Sequence, residues 1–181
     1  FSAILDFFPA DVESALDAGC GNGLLGDLIL KHRADLSFVG VDSSEEAISR
    51  AKFESVVGDI SNLPFEPDNF DLVISTDVLE HLPAEVEQLA WTELFRVAKN
   101  YVVVAVPFNE NLLDAQAKCS KCGNLFHVNW HQRKYSLEQF VDRIPKDWEL
   151  NTAILTGEPW TNSHPVETLL RRQEFQEYRS E

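Results

Sequence analysis

Methionine is missing from this sequence altogether, position 1 included, so the chain reads as one trimmed at its start. Cysteine is scarce as well: three residues do not make a disulfide framework, and a reducing, cytoplasmic setting is expected. No stretch approaches the roughly 18 consecutive apolar residues of a membrane span. No segment reads as a signal peptide. Positive charge is short relative to negative, with 15 Lys and Arg against 30 Asp and Glu and a net charge of −15. A chain so acidic is poorly matched to a phosphate backbone, which disfavours nucleic acid as a partner. Internal repeats and low-complexity tracts are also absent. What remains is 181 residues with 44% hydrophobic content, ample for a single domain with its own core.

The stretch around which the rest is organised is Ala15-Leu16-Asp17-Ala18-Gly19-Cys20-Gly21-Asn22-Gly23. An apolar run ends in an acid, a glycine-rich turn follows, and Leu24 to His32 then repeats Leu and Ile at helical spacing. The order is strand, tight loop, helix N-terminus. Glycine lets the backbone approach a ligand closely, and the unsatisfied N–H groups of a helix start favour a partner rich in acceptors. An ordinary strand-to-helix turn would look similar in isolation. The dinucleotide fingerprint G-x-G-x-x-G fails here, because Leu24 stands where its last glycine belongs. The sequence reads D-x-G-x-G-x-G instead.

Further acids fall at matching places. Leu36 to Val41 is predicted as a second strand closed by Asp42, and Ser43 with Glu46 suggests a capping box opening a helix to about Lys52. An acid at the end of a second strand suits a bidentate hydrogen bond to ribose hydroxyls, although it also complements a helix N-terminus. Phe53 to Val57 is predicted as a third strand, followed by Gly58-Asp59-Ile60. After a turn-rich loop come a fourth strand, Asp71 to Ser75, a helix from about Ala84 to Ala98 and a fifth strand, Tyr101 to Val106. Alternating βα units with apolar strands predict a mostly parallel central sheet with helices on both faces, a three-layer α/β fold. Asp17, Asp42, Asp59 and Ser75 then all lie at strand carboxyl ends, where such folds bind ligands.

The D-x-G-x-G-x-G loop resembles motif I of the class I S-adenosylmethionine-dependent methyltransferases. The stretch LPFEPDNFDLVISTDVLEHL, from Leu63 to Leu82, is similar to the small-molecule enzymes of that family, such as the quinone-biosynthesis type. Together the two blocks cover roughly residues 12–108. The resemblance implies a Rossmann-like methyltransferase fold and a site for S-adenosylmethionine and its product S-adenosylhomocysteine. It implies cofactor contacts from Asp17, Gly19, Cys20, Gly21, Asp42, Ser43, Asp59, Ile60 and Ser75, with Asp17 near the amino group, Asp42 at the ribose, and Asp59 and Ile60 at the adenine. The segment Ser75-Thr76-Asp77-Val78 has neither the Asn-Pro-Pro-Tyr of nucleobase amine enzymes nor the Pro-Cys of cytosine C5 enzymes. A small-molecule acceptor methylated on oxygen or nitrogen is therefore expected, with His81 as candidate general base, since imidazole titrates near neutral pH. A cofactor-binding module without activity and a dehydrogenase-like nucleotide-binding domain are the alternatives. The family's seventh, antiparallel strand has no counterpart in the sequence.

After Pro107 the pattern changes. Residues 109–135 show no clear strand or long helix and read as an insertion in a single domain spanning 1–181. Cys119 and Cys122 have the C-x2-C spacing, and His127 and His131 lie four apart, so one helical turn could present both on one side. Two thiolates and two imidazoles would complete a closed tetrahedral structural zinc site; a redox pair, or surface thiols beside unrelated histidines, are the other readings. Ser136 with Gln139 predicts a capped helix to about Ile144, Trp148 to Thr156 a sixth strand, and Val166 to Arg179 a final polar helix. His81, Phe108, Trp130, Tyr135 and Trp160 are candidate pocket or lid residues. Oligomeric state is not legible.

Overall fold

A computed structural model of the chain describes residues 2–6 and 8–156. The chain divides into two compact units, Phe1–Val106 and Pro107–Glu181, and the boundary falls at the proline where the sequence pattern changes.

The first unit is built on a five-stranded, fully parallel sheet in the order β3-β2-β1-β4-β5. Its strands are β1 (Ser14–Ala18), β2 (Ser37–Asp42), β3 (Glu54–Val57), β4 (Phe70–Thr76) and β5 (Ala98–Ala105). The short α1 (Ser2–Asp6) leads into it, α2 (Leu24–His32) joins β1 to β2, α3 (Glu45–Ile48) joins β2 to β3, and α4 (Ala84–Val97) joins β4 to β5. The order in which strands are added reverses between β1 and β4, so right-handed crossovers place the connecting helices on opposite faces. The apolar residues follow this plan. Ala15, Leu72 and Ile74 pack with Leu25 and Ile29 of α2, with Phe38 beside them, while α4 buries Ala90, Trp91, Leu94 and Val97.

Polar ties fix what the apolar pattern leaves loose. Arg96 of α4 donates to the carbonyls of Phe65 and Leu63 at 2.8 and 3.1 Å and is paired with Glu93, whose carboxylate accepts the Leu63 N–H. The turn-rich loop after β3 is thereby fastened to α4. Asp71 accepts from the backbone of Glu13 and Ser14 and from the Ser14 hydroxyl; these donors hold its carboxyl below the usual range.

The second unit departs from the sequence reading. A two-stranded antiparallel hairpin, β6 (Gln116–Lys118) and β7 (Leu125–His127), occupies the segment expected to lack strands. The capping box of Ser136 and Gln139 forms in full and opens α5 (Leu137–Val141). The sixth strand expected over Trp148–Thr156 is irregular, with Leu150 and Ile154 exposed and no strand alongside them among the described residues. The expected helix over 166–179 and Trp160 lie outside the described residues.

Candidate functional site

The sheet delivers its polar residues to one edge. β1 carries Asp17 into the interior, where its side chain is 1% exposed and neither carboxylate oxygen has a hydrogen-bond partner. Burial, reinforced by the negative charge of Asp42, raises its carboxyl from the ordinary 3.8 to about 7. A buried carboxylate without donors costs several kcal/mol or takes up a proton, so a lone one at a strand end marks a place completed by a cation or donor from outside. Ser75, at the end of the neighbouring β4, is also buried with its hydroxyl unpartnered.

The loop after β1 is held open by its backbone. Gly19 sits at φ 90°, and a Cβ there would lie 2.3 Å from a methyl of Val78, so only glycine fits between the loop and the end of β4. Gly21 is also left-handed at φ 53°, yet a Cβ there would meet nothing within 4 Å; the loop faces open space at that point. The N–H groups of Gly19 and Cys20 both donate to the Val41 carbonyl, at 2.7 and 3.0 Å, tying the loop to β2. Cys20 itself is buried, and that burial together with Asp17 and Asp42 pushes its thiol up to about 12, so it is an uncharged wall of the loop, not a nucleophile.

Asp42 has a role that sequence reasoning missed. One carboxylate oxygen accepts the Gly21 N–H and the other accepts the Ser44 N–H, both at 2.9 Å. It therefore braces the glycine loop against the start of α3, and each oxygen keeps lone-pair capacity for a further donor. The same contact explains a correction. The expected capping box on Ser43 and Glu46 is replaced by Ser44, whose hydroxyl accepts the Ala47 N–H, because Asp42 fixes the turn one residue later. Ser43 is exposed, and Glu46 pairs with Arg50 instead.

Asp59 is exposed, and the backbone and hydroxyl of Ser61 hold its carboxyl below the usual range. Ile60 beside it is half-buried. After β4 the chain turns sharply: Asp77 adopts φ 55°, uncommon for a residue with a side chain, and donates its N–H to the Ala105 carbonyl. His81 ends the short helix that follows (Leu79–His81), partly exposed, with Nε2 3.9 Å from a Glu80 oxygen. Backbone strain thus sits at the carboxyl end of β4, next to the candidate base.

The second unit does not assemble the expected four zinc ligands. Cys119 and Cys122 lie in the hairpin turn, whereas His127 pairs across the hairpin with Gln116. Gln116 lies three residues upstream of Cys119, about 10 Å away along an extended strand. Among the described residues of this unit, the histidines converge with Glu110 instead, and that group holds no cysteine. The N–H groups of Cys122 and Lys121 hold the Cys119 thiol below its usual range, so the turn locally favours the thiolate. Of the expected lid residues, Tyr135 is buried and bridges Phe108, and Trp130 is exposed and stacked on Phe126.

Known proteins share this frame. The family model described as Methyltransferase domain matches residues 16–106. A malonyl-(acyl-carrier protein) O-methyltransferase of Herminiimonas arsenicoxydans is 38% identical over 88 residues, 47% of this chain and 33% of that protein. A ubiquinone biosynthesis O-methyltransferase of Coxiella burnetii is 36% identical over 77 residues, 38% of this chain and 32% of the relative. The match thus spans about a third of the length of these curated relatives. A methyltransferase structure from Methanosarcina mazei shares the fold at a TM-score of 0.61 and 20% identity, covering 79% of this chain and 82% of its own. A TehB-like methyltransferase from Corynebacterium glutamicum is 28% identical at a TM-score of 0.50, covering 57% of this chain and 59% of its own. No described helix is long and apolar enough to cross a membrane.

Proposed function

Because the chain belongs to the Methyltransferase domain family, within the class I S-adenosylmethionine-dependent enzymes, we propose that it transfers a methyl group from S-adenosylmethionine to an oxygen or nitrogen of a small molecule. The observation that carries this reading is Asp17: a buried carboxylate with no partner, at the end of β1 beside a loop that faces open space at Gly21. Its surroundings fit a ligand with a cationic amino group at one end. The cofactor, when bound, supplies a methyl group made electrophilic by its sulfonium.

The chain's residues then have distinct tasks. Asp17 would neutralise the ammonium, giving up any proton it carries. Gly19, Cys20 and Gly21 would line the methionine portion with backbone. Asp42, already engaged with two backbone N–H groups, would accept from the ribose hydroxyls and keep the loop in place as it does so. Ser43 would flank that ribose contact, and Asp59 with Ile60 would meet the adenine. Ser75 would offer its unpartnered hydroxyl to the reacting end. Methyl transfer needs a nucleophile aligned at near-attack distance, and such positioning can contribute about 7–11 kcal/mol without a covalent intermediate. An acceptor that must lose a proton would use His81 as the base.

The net charge of −15 and the Ser75-Thr76-Asp77-Val78 segment support a small-molecule acceptor over nucleic acid. The test is calorimetry with S-adenosylhomocysteine and with NAD, then a screen of hydroxyl and amine acceptors with labelled cofactor. S-adenosylhomocysteine binding without NAD binding, and weakening by Asp42→Ala of roughly 1.5–3 kcal/mol, is the expected result. Tight NAD binding without a response to S-adenosylhomocysteine would falsify it.

A further inference from the structure

Within the second unit, Glu110, His127 and His131 each bring one ligating atom to within 4.8 Å of the other two. The imidazoles are stacked, with centroids 4.7 Å apart and planes at 22°. Both face the Glu110 carboxylate: His131 Nδ1 lies 2.5 Å from one oxygen and His127 Nε2 3.5 Å from the other. The three side chains are about nine-tenths buried.

We propose that Glu110, His127 and His131 form a divalent-metal site for which zinc is the best-matched cation. A carboxylate cluster that merely satisfied itself would leave no polar atom over. Here His127 is buried and its Nε2 has no hydrogen-bond partner among the described residues, the Glu110 oxygen 3.5 Å away making no hydrogen bond with it. Two imidazoles and one carboxylate are a donor set for zinc that leaves a fourth position for water or a ligand oxygen.

The backbone around the cluster is set to hold it. Trp130 has φ 59° and Asn109 φ 48°, and each immediately precedes a donor, His131 and Glu110. A bulky residue in the left-handed region persists only where its surroundings over-determine it, as they do at ligand clamps. Val128 N donates to the Ala115 carbonyl and Trp130 N to the His127 carbonyl, folding the chain back so that the second ring lies over the first. His127 Nδ1 accepts the N–H groups of Asn129 and His131 at 3.3 and 3.2 Å, which places the ring proton on Nε2. A cation on Nε2 moves that proton to Nδ1, and these two long hydrogen bonds must open. Metal loading therefore carries a backbone signature at 129–131. The inference is independent of the methyl-transfer reading.

The experiment is a zinc and cobalt titration of the untagged full chain against a chromophoric chelator, with hydrogen exchange of the loop in parallel. About one equivalent should bind. Glu110→Gln or His131→Gln should weaken binding by more than about 100-fold, since loss of even an outer supporting group costs 10–100-fold. The Cys119→Ser/Cys122→Ser double variant should bind as before. The cobalt form should lack thiolate charge-transfer absorption, and exchange at 129–131 should change on loading. A folded wild-type chain that binds neither metal overturns the proposal. So does a cobalt spectrum with a thiolate band, or zinc binding that survives Glu110→Gln and is lost in the cysteine variant. The wild-type spectrum stands even where a variant fails to fold.

Discussion

The two units order themselves by opposite means. In Phe1–Val106 the side chains of Leu16, Leu72, Ile74, Leu79 and Leu94 are wholly buried, and a parallel ladder fixes the backbone between them. In the second unit, Ala115 and Tyr135 are the buried hydrophobic residues among those described, while Leu113, Leu125 and Trp130 lie in solvent. The first unit has apolar burial to spare. It tolerates a carboxylate and a hydroxyl, Asp17 and Ser75, buried with nothing of their own to bind. The second has little apolar burial, and its polar side chains converge on each other instead. An orphaned polar group in a well-packed core and a polar cluster in a thinly packed loop are two different signs of a ligand.

The contrast can be broken or sharpened by substitution. Ile74→Ala, at a fully buried site, should cost about 2–5 kcal/mol of unfolding free energy, read by denaturant melts. A cost under about 1 kcal/mol would mean that the sheet core is looser than its burial implies. Asp17→Asn should remove a pH dependence. With the folded carboxyl raised to about 7 against 3.8 in the unfolded chain, the contribution of Asp17 to wild-type stability is full below about pH 4, falls as pH rises to 7, then levels off. The loss is on the order of 4 kcal/mol without ligand. The Asn variant should be flat over that range and more stable than wild type at pH 8, yet should bind cofactor poorly. A variant as pH-dependent as wild type would shift the titration to another group. Leu125→Ala, on the exposed hairpin, should change stability by less than about 0.5 kcal/mol. A core-sized loss there would show that the second unit hides a core of its own.

How much of this was legible in the sequence follows the same division. The five strands of the sheet, α2 and α4 came from apolar periodicity and the Gly-rich turn, because in the first unit local pattern and tertiary packing agree. The strand-end positions of Asp17, Asp42, Asp59 and Ser75 followed from that order. What Asp42 touches did not, since a carboxylate bracing Gly21 and Ser44 depends on the curvature of two turns. That curvature also moved the helix cap from Ser43 to Ser44. The pairing of Cys119 and Cys122 with His127 and His131 failed because spacing reports proximity only within one element. A hairpin placed between them sends the cysteines to its tip and His127 to its base. Glu110 carried no spacing signal at all. Trp148–Thr156 failed because a strand needs a neighbour to pair with, which a linear pattern does not show.

Asp17 as the buried counter-charge for the cofactor's amino group is tested most directly by proton release. S-adenosylhomocysteine binding is measured calorimetrically at pH 6 and pH 8.5, in buffers of different ionisation enthalpy. Since the carboxyl titrates at about 7 in the unliganded fold, most molecules carry the proton at pH 6 and almost none at pH 8.5. Binding at pH 6 should release close to one proton, binding at pH 8.5 almost none, and Asp17→Asn should abolish the difference. Binding that releases no proton at pH 6, or an Asn variant that releases as much as wild type, would contradict this role for Asp17.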